Sequence, residues 1–278
     1  MRFRLAVLAL STLLASCSSD KGAKPPATTI SIAGSTALLP LLQEAAKRYT
    51  KDHPEVVIHV SGGGSQVGIS KVLTGEVMFG ASDVSTKDHP ELVDHRVAVI
   101  GLAAMSHKGS YNAGIDSLTK EEIRDIFTGK IKNWNEMGGD DQPIVVINRE
   151  KGSGTRAAFG ALTLGGDLFV PGEEVEGSGK VLNALKERRG AVGYLALSYA
   201  DDTVQTLRYD GITPSVENIV INRYPIWSYE HLYSRGAPSD TAADFLGFLT
   251  SGRFQREVLP KLGFIALHDM RAVRDGDG

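Results

Sequence analysis

The chain has 278 residues, 42% of them hydrophobic, with 30 Lys and Arg against 33 Asp and Glu, for a formal net charge of −3. That balance, with no basic run interleaved with aromatics, excludes a protein that binds nucleic acid through its overall charge. A single cysteine, Cys17, excludes an intrachain disulfide, and the length suits one large or two medium domains.

The chain opens with Arg2 and Arg4 followed by an apolar run, Leu5 to Ala15. That run is too short to cross a bilayer as a helix, so residues 1–16 read as a secretory leader. It ends in Leu14-Ala15-Ser16-Cys17, which resembles a bacterial lipobox, so Cys17 is the expected lipidation site. Residues 17–27, polar and containing Pro25-Pro26, read as a tether. Cleavage would remove two arginines and no acid, taking the formal charge from −3 to −5.

From there the chain alternates strands and helices, the pattern of an α/β protein. Thr29 to Ala33 reads as a strand that ends in Gly34-Ser35-Thr36. Leu38, Leu41, Leu42, Ala45, Ala46 and Tyr49 then recur at helical spacing, predicting a helix that starts near Thr36. Val56 to Val60 is a second strand, running through Ser61-Gly62-Gly63-Gly64-Ser65 into a helix with Val67, Val72 and Leu73. Phe79-Gly80-Ala81-Ser82-Asp83 is a short strand with a carboxylate at its end. Val97 to Met105 is a long apolar strand, and Thr119 caps a helix ending at Phe127. Pro143 to Ile147 is a strand, followed by Arg149, by Gly152-Ser153-Gly154-Thr155-Arg156 and by a helix over Ala157 to Leu164. A helix over Gly179 to Lys186, a strand over Ala191 to Leu195, a strand-like Tyr224 to Ser234 and helices over Asp240 to Leu249 and Phe254 to Leu262 complete the order.

Three of these junctions share one design, a strand, a Gly/Ser/Thr turn and then a helix. The first amides of a helix have no intrahelical partner and, with the positive end of the helix dipole, favour an anion. Ser153 and Thr155 add hydroxyls, and Arg149 adds a planar fork of N–H donors that matches a tetrahedral oxyanion. Asp83 ends a strand on the side where α/β proteins place their ligands.

These residues identify a relationship. In order and spacing, Gly34-Ser35-Thr36, Gly80-Ala81-Ser82-Asp83, Arg149 with Gly152 to Arg156, Gly190-Ala191-Val192-Gly193-Tyr194 and Tyr224-Pro225-Ile226 resemble the phosphate-binding lipoproteins of bacterial Pst ABC importers. These are type II periplasmic solute-binding proteins, and the similarity runs from about Ile30 to about Leu267. It implies two α/β lobes, mixed sheets flanked by helices, joined by two hinge strands. Lobe I would comprise residues 28–106 and 228–270 and lobe II residues 107–227, with 271–278 as a C-terminal tail. It implies contacts to inorganic phosphate from Ser35, Thr36, the Ala37 amide, Ser65, Asp83, Arg149, Ser153, Gly154 and Thr155. It also implies ABC permease subunits as partners, attachment to the cell envelope through the lipid, a monomer, and neither cofactor nor catalysis. Two positions depart from the family pattern. Ala37 stands where an aromatic is common, and Lys151 stands where some relatives have an acid able to hold the arginine.

Other readings were weighed. A receptor for sulfate, molybdate or tungstate would use the same cradle, but a fully deprotonated oxyanion has no proton to offer Asp83. A secreted phosphate-ester hydrolase would need a base beside a hydroxyl or a metal cluster. Ser65 and Ser153 lack the spacing of a nucleophile elbow, and the seven histidines show no metal spacing. Gly177-Ser178-Gly179-Lys180 resembles part of a P-loop, but its first glycine is misplaced and no Ser/Thr follows the lysine. Trp134 and Trp227 read as core or cleft-wall residues.

Overall fold

The computed structural model describes residues 28–109, 112 and 114–274. The leader, Cys17, the tether and residues 275–278 of the tail lie outside the described residues. The elements run β1 (Thr28–Gly34), α1 (Leu39–Asp52), β2 (Val56–Ser61), α2 (Ser65–Thr74), β3 (Phe79–Ser82) and β4 (Leu92–His107). Next come β5 (Ser117–Leu118), α3 (Lys120–Phe127), β6 (Val145–Arg149), α4 (Gly154–Thr163), β7 (Glu173–Val175), α5 (Ser178–Glu187) and β8 (Ala191–Ala196). They finish with β9 (Val204–Thr206), β10 (Arg208–Tyr209), α6 (Val216–Val220), β11 (Trp227–Arg235), α7 (Asp240–Thr250), α8 (Gly252–Glu257) and β12 (Phe264–Ile265).

Two α/β halves share one strand. The main path of strands is β2-β1-β3-β11-β4-β8-β6-β7, with β9 and β12 also pairing with β4. β1 lies parallel between β2 and β3, and β6 lies parallel between β8 and β7. β4 changes partners partway along: up to Gly101 it pairs with β11, and from Leu102 with β8, both antiparallel. The return crossing lies alongside, where the Leu102 amide donates to Ile226 O (2.8 Å) and the Tyr224 hydroxyl donates to Leu102 O (2.7 Å). The result is a two-lobed mixed α/β fold whose lobes meet at the ends of β1, β3 and β6.

Burial follows the hydrophobic pattern. Leu41, Leu42, Ala45 and Tyr49 turn one stripe of α1 onto the sheet. β4 is buried from Val97 to Ser106, as expected of a central strand covered on both faces. Trp134 and Trp227 are both fully buried, their indole N–H groups donating to Gly190 O (3.1 Å) and Asn222 Oδ1 (2.8 Å). Two of the differences from the sequence reading have a clear local cause. α1 begins at Leu39 instead of near Thr36, because Ser35 Oγ accepts the Ala37 and Leu38 amides in a tight turn, while Pro40 suits the first turn of the helix. The helix expected over Phe254 to Leu262 is two pieces, since Pro260 cannot donate the N–H that would continue α8; Leu259–Leu262 is a 3-10 turn.

Candidate functional site

Four helix amino-termini converge where the lobes meet: the turn before α1, and the first residues of α2, α4 and α5. In the first lobe, β1 ends in Gly34, whose φ of +138° lies outside the range other residues adopt readily. A Cβ there would lie 2.1 Å from Ala81 O, so glycine is what lets β1 pass so close to β3. This passage carries Ser35 to the end of β3. Ser35 Oγ donates to Asp83 Oδ1, and the Asp83 amide donates to Ser65 Oγ (3.1 Å). Ser35, Ser65 and Asp83 are each no more than 3% exposed.

In the second lobe, Ser153 caps α4, its Oγ accepting the Arg156 amide (3.2 Å). Thr155 Oγ1 reaches across to Asp83 Oδ2 at 2.6 Å, so each oxygen of Asp83 accepts a hydroxyl, one from each lobe. Gly154 packs against the first lobe so tightly that a Cβ would lie 2.1 Å from Ser65 Oγ and 2.9 Å from Ser65 Cβ.

Arg149, at the end of β6, is 1% exposed. Glu150 grips it in two places, accepting Nε at 3.0 Å and Nη2 at 2.8 Å. Two of the other guanidinium donors point to Thr36 Oγ1 (3.3 Å) and Ser178 Oγ (3.4 Å). The backbone amide of Arg149 donates to the Tyr194 hydroxyl at 3.1 Å. Tyr194 is fixed by stacking on Phe159 (centroids 4.7 Å apart), and burial pushes its hydroxyl up to about 12. Thr36 closes the seam: its Oγ1 accepts the Ser178 amide (3.1 Å), and its carbonyl accepts the Tyr199 hydroxyl (2.7 Å).

Every residue expected at the site therefore lies along this seam. The Ala37 amide is turned onto Ser35 Oγ (3.1 Å). Lys151 is exposed, and Glu150 supplies the carboxylate that Lys151 cannot. Three participants were missed. Glu150 adjoins Arg149, but sequence gives no sign that its side chain folds back. Ser178 was legible, since Gly177-Ser178 is one more Gly/Ser start to a helix, but it was set aside as a broken P-loop. Tyr199 carries no local signal. Among the described residues, no group of three His, Cys, Asp or Glu could hold a metal ion, and no helix is long and apolar enough to cross a membrane.

A two-lobed α/β fold with helix starts, an arginine and a carboxylate facing one seam defines the solute-binding class. Residues 19–253 match the PBP superfamily domain model. The chain is 40% identical over 266 residues to the phosphate-binding protein PstS of Bacillus subtilis, covering 94% of this chain and 88% of the relative. It is 27% identical to PstS of Borreliella burgdorferi, covering 94% and 97%. A Clostridium perfringens substrate-binding protein solved with bound phosphate superposes with a TM-score of 0.81 at 31% identity, over 86% of this chain and all of that one. A phosphate transport receptor from Vibrio cholerae gives 0.69 at 26% identity, over 85% and 99%. The chain belongs to the PstS family of phosphate-binding proteins within the PBP superfamily.

Proposed function

We propose that this protein is an extracytoplasmic receptor that captures inorganic phosphate between its lobes and delivers it to an ABC permease without making or breaking a bond. The observation that carries the reading is the pairing of donors with one acceptor. Helix-start amides, the hydroxyls of Thr36, Ser65 and Ser153, the Gly154 and Thr155 amides and the Arg149 guanidinium suit a dianion, while the Ser35 and Thr155 hydroxyls hold Asp83 and the Ala37 amide holds Ser35. Asp83 among them suits a ligand that still carries a proton. Closure removes water, which strengthens each hydrogen bond. Opening and closing about the two crossings, Gly101-Leu102 and Tyr224 to Trp227, would let a permease sense occupancy.

Of the two hydroxyls on Asp83, Ser35 Oγ accepts two backbone amides while donating to the carboxylate, which fixes it as a structural bridge, and Thr155 Oγ1 donates to the other oxygen from across the seam. This favours binding over phosphate-ester hydrolysis. The leader-like start and the lipobox ending at Cys17 support a protein held by lipid outside the cytoplasmic membrane; the family resemblance supports a monomer. Native mass spectrometry of the purified mature protein tests the ligand: a retained adduct of phosphate mass is expected, and an adduct of sulfate mass, or none even after phosphate is added, would refute the assignment.

A further inference from the structure

Behind Asp83, away from the seam, sits a second carboxyl group that the ligand site does not use. β11 pairs His231 with Ser82, the last residue of β3, in antiparallel register, so Glu230 and Asp83 are the next residues on the two chains, beside a β-bulge between Glu230 and His231. Glu230 is 0% exposed. Neither of its oxygens meets an N–H or O–H donor.

Two facing carboxylates, both buried, would combine the desolvation of two charges with their mutual repulsion. The arrangement is satisfied when one proton lies between them. We propose that Glu230 is a neutral carboxylic acid whose O–H donates to Asp83, and that this donor keeps Asp83 ionised and purely an acceptor toward the ligand, making Glu230 a positioning residue for selection of phosphate over sulfate. The proposal rests on the phosphate reading above.

Among the described residues the charges near Glu230 are engaged elsewhere, Arg274 lying over the Trp227 ring at 4.1 Å. Its neighbour on β4 is Ala98. Also on β4, Asp94 is engaged by His231 Nδ1 at 2.8 Å, and Arg96 lies over the Tyr229 ring at 4.3 Å. α2, packed against β11, has its cation, Lys71, on exposed Glu76. Burial, and then the neighbouring Asp83 carboxylate, push Glu230 well above the usual carboxylate range. Without that O–H, Asp83 would itself become the group that takes up the proton. A protonated Asp83 could donate to an oxyanion that has no proton, and sulfate would be admitted.

The test compares wild type, Glu230→Gln and Glu230→Leu by infrared spectroscopy and by phosphate and sulfate titrations from mildly acidic to mildly alkaline pH. Wild type should show the carbonyl stretch of a neutral acid at neutral pH, absent from Glu230→Gln. Glu230→Gln should still exclude sulfate, because its amide replaces the donor. Glu230→Leu should bind sulfate about ten- to a hundredfold better than wild type, the equivalent of one charge-assisted hydrogen bond, with the gain fading as pH rises. A side chain that merely fills space would leave that pH profile unmoved. Absence of the acid band, or wild-type selectivity in Glu230→Leu at every pH, would overturn the proposal. If the leucine variant does not fold, the infrared comparison with the isosteric glutamine variant still decides it. Should wild type bind sulfate as well as phosphate, the phosphate reading fails, while the acid band still reports whether the proton is there.

Discussion

The two sides of the seam use the same strand, turn and helix device, yet they hold opposite charges in different ways. Arg149 is oriented largely from its own lobe: Glu150 grips the guanidinium and Tyr194 fixes the backbone. Asp83 is completed by both lobes, Ser35 on one oxygen and Thr155 on the other. A preset cation attracts any tetrahedral oxyanion. A carboxylate whose surroundings are completed when the lobes meet judges the ligand at closure. On the proposed reading attraction and selection sit on different lobes, and they can be broken separately.

The largest effect should come from Asp83→Asn. A site built around a ligand's own donor rejects analogues lacking it by about 10⁴–10⁵. The amide can turn a donor toward sulfate, so competition calorimetry should show most of that discrimination lost while phosphate still binds. Equal discrimination in the variant would remove the carboxylate from the account.

Arg149→Ala should weaken phosphate and sulfate alike. Each charge-assisted hydrogen bond is worth about 1.5–3 kcal/mol, so the affinity measured by calorimetry should fall about tenfold to a few hundredfold. Arg149→Lys should recover part of it, lacking the planar fork. A loss confined to one anion would mean that the arginine also selects.

Gly154→Ala probes closure itself. Turning Ser65 Oγ aside does not relieve the 2.9 Å approach to Ser65 Cβ. Overpacking of this kind costs about 1–3 kcal/mol, so affinity should drop roughly five- to a hundredfold. Thermal unfolding without ligand should move little, because lobes that part in the absence of ligand would relieve the contact. A matching loss of stability would show that the contact holds the fold and not the closed state.

Much of this was legible in the sequence, for local reasons. Thr119 announces its helix through a cap that needs only neighbouring residues, and the structure shows the bond. The apolar run around Val97 to Met105 marks a strand buried on both faces. Glu150, Tyr199 and Glu230 act through partners far away in sequence or through a side chain folding back, and no periodicity encodes that. The switch of β4 from β11 to β8 between Gly101 and Leu102 falls inside an unbroken apolar run, so no change in composition marks it.

Glu230 yields an effect of another kind, one on stability and not on affinity. As its carboxyl is raised above 4.5 in the folded protein, the folded state binds more protons than the unfolded state at and above that pH. Stability should therefore fall as pH rises, by up to about 1.4 kcal/mol per pH unit, until the folded group ionises. Urea unfolding of Glu230→Gln should show this slope flattened. An unchanged slope would place the proton elsewhere.

The most direct test of the central claim is competition calorimetry on the wild-type protein with phosphate, arsenate and sulfate. Arsenate keeps the proton and the shape, so it should displace phosphate, whereas sulfate should leave the phosphate isotherm unchanged even in large excess. Sulfate binding within about tenfold of phosphate, a gap of roughly 1.4 kcal/mol, would contradict the assignment of Asp83 as the selecting group and of phosphate as the ligand.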